Sequence, residues 1–387
     1  MKSIVAAATA GACFVLTACA TGSDFSDLQK ASSSEANAPD GVIRALPMPS
    51  VPLDPAKTLQ RIVFASCAHQ NEDQAIWDRI AGENPDLVLF IGDNVYGDVR
   101  SNDAALPELK TAYMRLAQSA PFSRVRAAAP VLTVWDDHDY GLNDAGAEFQ
   151  HRKSAEALFN YVWDVDEDDP RRAHEGVYGA WLLGEETGRI VQVILLDTRS
   201  FRSPLKPSDD RGAKGKERYL PDADDGKTML GDAQWSWLSE ELKKPADLRL
   251  LVSSVQVIAD GHGWEAWKML PAERTRLYQT ISAAGADNLF MLSGDRHSAA
   301  FYKRDDVIGY PLFEATSSSL NLPASRWRAE SGETYVEPGP HRLGEMVYDP
   351  NYGVIEIDWS SNDVDVTIRS GDGAVLLREI VDLDVLR

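Results

Sequence analysis

Short apolar runs alternate along the chain with stretches in which apolar residues return every three or four positions. "RIVFAS" (61–66) is followed by "EDQAIWDRIAGE", in which Ala75, Ile76, Trp77 and Ile80 share a broad face, and then by "DLVLFIG" (86–92). This order predicts a β-α-β unit. Further strands are predicted at "PVLTVW", "RIVQVILLD", "LRLLVSSVQVI" and "NLFMLSG", with helices near 151–163, 232–243 and 271–284. The closing stretches "NYGVIEIDW", "VDVTIRS" and "AVLLREIVDL" predict hairpin-connected strands. Runs that are apolar along their whole length are covered on both faces, so the fold class is α/β, a layered sandwich. No period of repeat length recurs, which excludes solenoids and propellers.

The first residues interrupt this pattern. "MKSIVAAATAGACFVLTACATGSD" has a charged start, a short apolar stretch and small residues before Cys19, the features of a secretory signal. Its "LTAC" resembles the bacterial lipoprotein box, which implies cleavage before Cys19, a lipid on its thiol and a place in the cell envelope. A twin-arginine pair is absent, so a general secretory route is expected. Residues 20–58, rich in Ser, Ala, Asp and Pro, read as a flexible tether between residues 1–19 and a folded body at 59–387. With Cys13 lost and Cys19 lipidated, Cys67 is the one thiol of the exported body. It has no partner for an internal disulfide, and is either buried and inert or bound to a metal.

The 387 residues carry a formal net charge of −21 and are 44% hydrophobic, enough for one large core or two ordinary ones. So acidic a chain is not a general nucleic-acid binder, because that affinity comes from Lys and Arg displacing counterions. The acidity fits either a salty habitat or a need for divalent cations.

Ligands of α/β sheets sit outside the strand carboxyl ends, and four of the strongest runs end in metal-ligand chemistry. They lead into Cys67; into Asp93 with Tyr96; into Asp136, Asp137 and His138; and into Asp295 and His297. Each residue alone also fits a bland role: a small core thiol, an Asx turn, a packed aromatic, a structural histidine. Together, carboxylates gathered at one sheet edge would repel one another, and multivalent metal is the simplest way to neutralise them.

In this order "ASC", "GDNVYGD", "WDDHDYG" and "SGDRH" resemble the PhoD-like alkaline phosphatases and phosphodiesterases. These are a branch of the calcineurin-like metallophosphoesterases related to purple acid phosphatases. "LLDTRSFR", "MLGDAQWSWL" and "NYGVIEID" extend the resemblance from about residue 59 to the C terminus. The chain departs from the family in lacking its frequent twin-arginine signal and in being shorter than members with an added N-terminal β-domain. The resemblance implies a four-layer αββα sandwich with the metal site at the strand C-terminal ends. By motif position, Asp93 is implied as the bridging aspartate, and Cys67, Tyr96 and His297 as ligands of a ferric ion. Asp137 then serves the second metal, with Asp136 as a further candidate, and Asp295 is a ligand from the last motif. The implied pair is Fe3+ and Ca2+. Thiolate, phenolate and imidazole suit iron, and a carboxylate-rich side suits calcium.

His138 would face the phosphate as charge stabiliser or proton donor, with Asp139 holding its ring. The implied reaction is hydrolysis of a small phosphate mono- or diester by metal-activated hydroxide. Two other readings compete: a phospholipase acting on lipid head groups, which an anchor would suit, and a non-catalytic phosphate- or metal-binding lipoprotein. His138 argues against the last, since a binder needs no proton donor. Around the site, 202–227 reads as a solvated loop, "DGHGWEAW" as core packing or an aromatic wall, and Arg296 as facing either towards the phosphate or away.

Overall fold

The computed structural model describes residues 44–387. The signal, the lipoprotein-box Cys19 and the tether up to residue 43 lie outside the described residues. Residues 44–58, expected as tether, instead pack on the body. Ala45, Leu46 and Met48 are buried, and the amides of Met48 and Val51 donate to the carbonyls of Val162 (2.7 Å) and Arg126 (2.9 Å). Three apolar side chains and two backbone bonds suffice to dock a stretch that has no periodic face.

Fifteen strands follow. They begin with β1 (Arg61–Ala65), β2 (Leu87–Ile91), β3 (Val131–Val134), β4 (Gly179–Leu183) and β5 (Val191–Leu195). Next come β6 (Lys206–Pro207), β7 (Tyr219–Leu220), β8 (Leu248–Ser253), β9 (Leu289–Ser293) and β10 (Ala299–Arg304). The chain closes with β11 (Leu312–Ser317), β12 (Arg342–Val347), β13 (Asn351–Asp358), β14 (Asp363–Ser370) and β15 (Val375–Asp382). One sheet has the order β15-β14-β13-β1-β2-β3, a second the order β12-β10-β11-β9-β8-β5-β4, and β6-β7 form a separate ribbon. In the first sheet β1-β2-β3 are parallel and form one side, with β13-β14-β15 antiparallel on the other; in the second the central β5-β8-β9-β11 are parallel, with antiparallel strands at both flanks. These parallel runs bring several strand carboxyl ends to one edge.

β2, β5, β8 and β9 are buried at every residue, so both faces are covered. On the first sheet Phe90 meets Trp77, Phe122 and Trp163, from or beside the helices Ile76–Gly82, Ala120–Ala128 and Arg152–Val162. Burying a phenylalanine of this kind contributes roughly 1.5–3 kcal/mol. The helices Gly231–Glu241 and Pro271–Ala284 cover the second sheet, Trp235 meeting Trp267 and Trp267 Nε1 donating to Ser253 Oγ at 2.9 Å. The sheets face each other where Ser66 Oγ donates to the Ser317 carbonyl (3.1 Å) and Ser317 Oγ to Asn351 Oδ1 (2.9 Å). The architecture is the expected four-layer α/β sandwich around one continuous core. Among the described residues no helix is long and apolar enough to cross a membrane.

Candidate metal centre

Each strand that ends at the site is followed by a sharp change of direction. Cys67 (φ 56°), Asp93 (φ 50°), Asp295 (φ 67°) and His297 (φ 52°) all hold left-handed backbone. That conformation costs a non-glycine residue roughly 1–2 kcal/mol, so its recurrence at strand exits marks positions held by their surroundings. Gly92, before Asp93, has φ 112°, and a Cβ there would lie 2.8 Å from Asp136 Cβ and 3.0 Å from Ser254 Cβ. Only glycine lets the ends of β2, β3 and β8 approach so closely.

The side chains converge in consequence. Cys67 Sγ lies 3.3 Å from Asp93 Oδ2 and 3.1 Å from Ser318 Oγ. Tyr96 Oη donates to Asp93 Oδ2 at 3.0 Å and lies 3.4 Å from His297 Nε2. His297 Nδ1 is 2.5 Å from the Leu322 carbonyl. A proton on Nδ1 makes that bond and leaves the Nε2 lone pair turned into the cluster. Ligand atoms of Cys67, Asp93 and His297 lie within 4.8 Å of one another, as do those of Asp93, Asp137 and His138, and those of Asp136, Asp137 and Asp295. Asp93 and Asp137 therefore link the groups.

The electrostatics of these donors suit a cation. Burial raises the pKa of Asp93, and the Asp137 carboxylate raises it further. Asp295 is raised by burial and then by Asp136 and Glu265. Burial and Asp93 push up the Cys67 thiol and the Tyr96 phenol. Burial works against a charged His138, but Asp137, Asp93 and Asp98 outweigh it and hold its pKa well above the usual histidine range. Burial likewise opposes ionised Asp137, yet His138 and Arg199 pull it below the usual carboxylate range. Burial takes His297 down to about 4, so its ring is neutral, as a metal ligand must be. A buried Asp136 Oδ2 without a hydrogen-bond partner completes the picture. Buried S, O and N donors set this close, several with pKa values raised by burial and by neighbouring carboxylates, suit a metal cluster.

One expected role changes. Asp139 does not hold His138. Its Oδ1 accepts from the Asp136 amide at 2.7 Å, closing a capping box on the short helix Asp137–Tyr140, and its Oδ2 accepts from Asn94 Nδ2 at 2.5 Å. Neighbouring residues of a helix do not face each other, and the carboxylate beside His138 Nδ1, at 2.9 Å, belongs to Asp98. Asp136 stays a candidate ligand through its unpartnered Oδ2, while its other oxygen is charge-paired. Its Oδ1 accepts from Arg199 Nε (2.6 Å) and Ser254 Oγ (2.7 Å). Arg199 is fully buried and pairs also with Glu265 (2.8 Å), which Arg202 approaches at 3.0 Å. Asp144, bound to Arg218 and Tyr219, completes a further group with Asp137 and Glu265.

Above the cluster opens a cavity of about 540 Å3, with Asp93, Asp137, His138, Asp295 and His297 in its lining. The 202–227 stretch is not a free loop. The amides of Arg218 and Tyr219 donate to the Gly263 carbonyl (2.9 and 2.7 Å), and Lys214, Glu217 and Arg218 border the cavity. In "DGHGWEAW", Trp264 is a wall residue, whereas Trp267 and His262 are buried. Arg296 also lines the cavity, tied to Glu337 at 2.7 Å.

Comparison with known proteins sets this geometry in context. Residues 62–366 match the family model described as PhoD-like phosphatase. The chain is 24% identical over 346 residues to alkaline phosphatase D of Bacillus subtilis (strain 168), covering 78% of this chain and 57% of that protein. It thus spans less than two thirds of that relative's length. The solved structure of PhoD shares the fold with a TM-score of 0.63 at 17% identity, over 89% of this chain and 73% of its own. Purple acid phosphatase PPD1 from yellow lupin (Lupinus luteus) seeds gives 0.55 at 10% identity, over 85% and 55%.

Proposed function

The chain belongs to the PhoD-like phosphatase family, and on that premise we propose that it hydrolyses phosphate mono- or diesters in the cavity above Asp93 and Asp137. The observation that carries this reading is the gathering of thiol, phenol, imidazole and carboxylate donors, with Asp93 shared between two ligand groups and Asp93, Asp137, Asp295 and His297 lining a cavity.

Cys67, Asp93, Tyr96 and His297 would hold a ferric ion, and Asp93, Asp137 and Asp295 a calcium ion. Such ions supply positive charge to the phosphoryl oxygens and make water a stronger nucleophile. The chain's own residues do the rest. His138, in the cavity lining, delivers a proton to the departing alcohol, and Asp98 at its Nδ1 keeps Nε2 turned towards the cavity. Left-handed backbone at the ligand positions keeps the donors in place before any ester arrives.

The "LTAC" sequence supports a lipid on Cys19 and a place in the cell envelope. The test is turnover of p-nitrophenyl phosphate and its bis ester by the metal-loaded protein, with and without EGTA. Hydrolysis of either that EGTA abolishes is expected, and no hydrolysis of both overturns the reading. Loss of any visible phenolate-to-iron absorption in Tyr96→Phe checks the iron assignment, and an unchanged spectrum removes Tyr96 from it.

A further inference from the structure

Four aromatic side chains border the cavity, and three of them already carry a cation. Arg218 and Arg296 sit 5.0 and 5.9 Å from the Trp264 ring, Lys214 is 4.1 Å from the Tyr335 ring, and Arg328 is 3.9 Å from the Tyr348 ring. The fourth, Trp327, has no cation over its ring among the described residues. It stands near-perpendicular to the His297 ring, with centroids 5.0 Å apart and an interplanar angle of 75°.

Trp327 is also 41% exposed, although it lines a cavity. Its helix, Ala324–Ser331, buries only Ala324, so packing does not explain why an indole sits there. Bonds from outside the helix fix its place: the Ala324 amide donates to the His297 carbonyl (2.8 Å) and the Ser325 amide to the Tyr348 carbonyl (2.9 Å). An exposed indole held rigidly beside a proposed metal ligand is a surface for a flat apolar group.

We propose that Trp327 is the platform on which an aromatic ring in the alcohol part of the ester stacks. The favoured substrates are then phosphate esters of ring-bearing alcohols, nucleotides among them. This rests on the phosphoesterase reading. The ester and one water give the free alcohol and hydrogen phosphate: a P–O bond forms from water, the P–O bond to the alcohol breaks, and the alcohol oxygen takes a proton.

Adenosine 5′-monophosphate and ribose 5-phosphate test this cleanly, because the same primary alcohol leaves with and without the ring. The wild-type protein, metal-loaded, is expected to favour the nucleotide in kcat/KM by about 10-fold, the scale of one base–aromatic stack. In Trp327→Ala that ratio falls to about one, and in Trp327→Phe most of it survives. A wild-type ratio near one, or a ratio that Trp327→Ala leaves in place, overturns the platform. If p-nitrophenyl phosphate is hydrolysed while the ratio is one, only the platform fails. If no ester is hydrolysed, the phosphoesterase reading fails, and adenosine decides the platform alone. Saturable fluorescence quenching that is lost in Trp327→Ala supports it, and its absence in the wild type overturns it.

Discussion

The two sides of the donor cluster solve the same problem of buried charge differently. Among the described residues no guanidinium or ammonium contacts Cys67, Asp93, Tyr96 or His297, and burial with neighbouring negative charge raises the pKa of the thiol, the carboxyl and the phenol. Around Asp136, Asp144 and Glu265 the protein supplies its own cations in Arg199, Arg202 and Arg218. A buried carboxylate without a partner is costly. A metal would therefore favour the ionised forms of the first side, whereas the second is compensated with or without one.

Substitutions that remove one partner at a time break or sharpen this contrast. Asp93→Asn removes the ligand common to two groups. It is expected to lower turnover roughly 10^3-fold, the several kcal/mol that metal charge contributes, while urea unfolding of the metal-free protein shows no loss of stability. Arg199→Met should do the opposite to the fold. It strands Asp136, leaves Glu265 with Arg202 alone, and is expected to cost about 3–5 kcal/mol in urea unfolding, metal present or not.

Asp98→Asn leaves both sides intact but frees His138. A fall in kcat of about 10- to 100-fold is expected, with the alkaline limb of the pH–rate profile moved to lower pH, whereas Asp139→Asn costs about 1 kcal/mol of stability and leaves that limb in place.

The smallest effect is in pH. Asp93 and Asp295 have raised pKa values in the folded chain, by burial first and neighbouring carboxylates second. Their contribution to stability is full below the unfolded carboxylate pKa and is lost as pH rises towards the folded value. His138, also raised, acts in the same direction at higher pH. Chelator-treated protein should thus lose a few degrees of Tm between pH 5 and pH 8, and metal-loaded protein less. Parallel curves would contradict the contrast.

What could be read in advance follows the same division. Cys67, Asp93, Asp137, Asp295 and His297 were legible because each directly follows a strongly apolar run, so the strand itself fixes where it lies. Arg199 follows β5 in the same manner, yet an arginine after a strand signals nothing until the acids it meets are known, and these come from distant segments. Asp98 was missed as the partner of His138, because that contact depends on local geometry. The D-x-x-D spacing of Asp136 and Asp139 is a capping signal, and it points Asp139 at the Asp136 amide rather than at His138. Lys214, Arg218 and Trp327 were beyond reach, because a loop held by the Gly263 carbonyl and a helix that buries one residue leave no periodic trace. The helices Pro107–Ala117 and Ala120–Ala128 did leave one in their early prolines.

The left-handed turns at Cys67, Asp93, Asp295 and His297 bear on how mutational data here should be read. Asparagine and glycine tolerate that conformation, whereas valine or threonine resists it. A β-branched replacement at any of the four would thus register a twisted main chain as though it were a lost bond to metal. Swaps to Asn, or to Gly with Asn as control, separate the two causes.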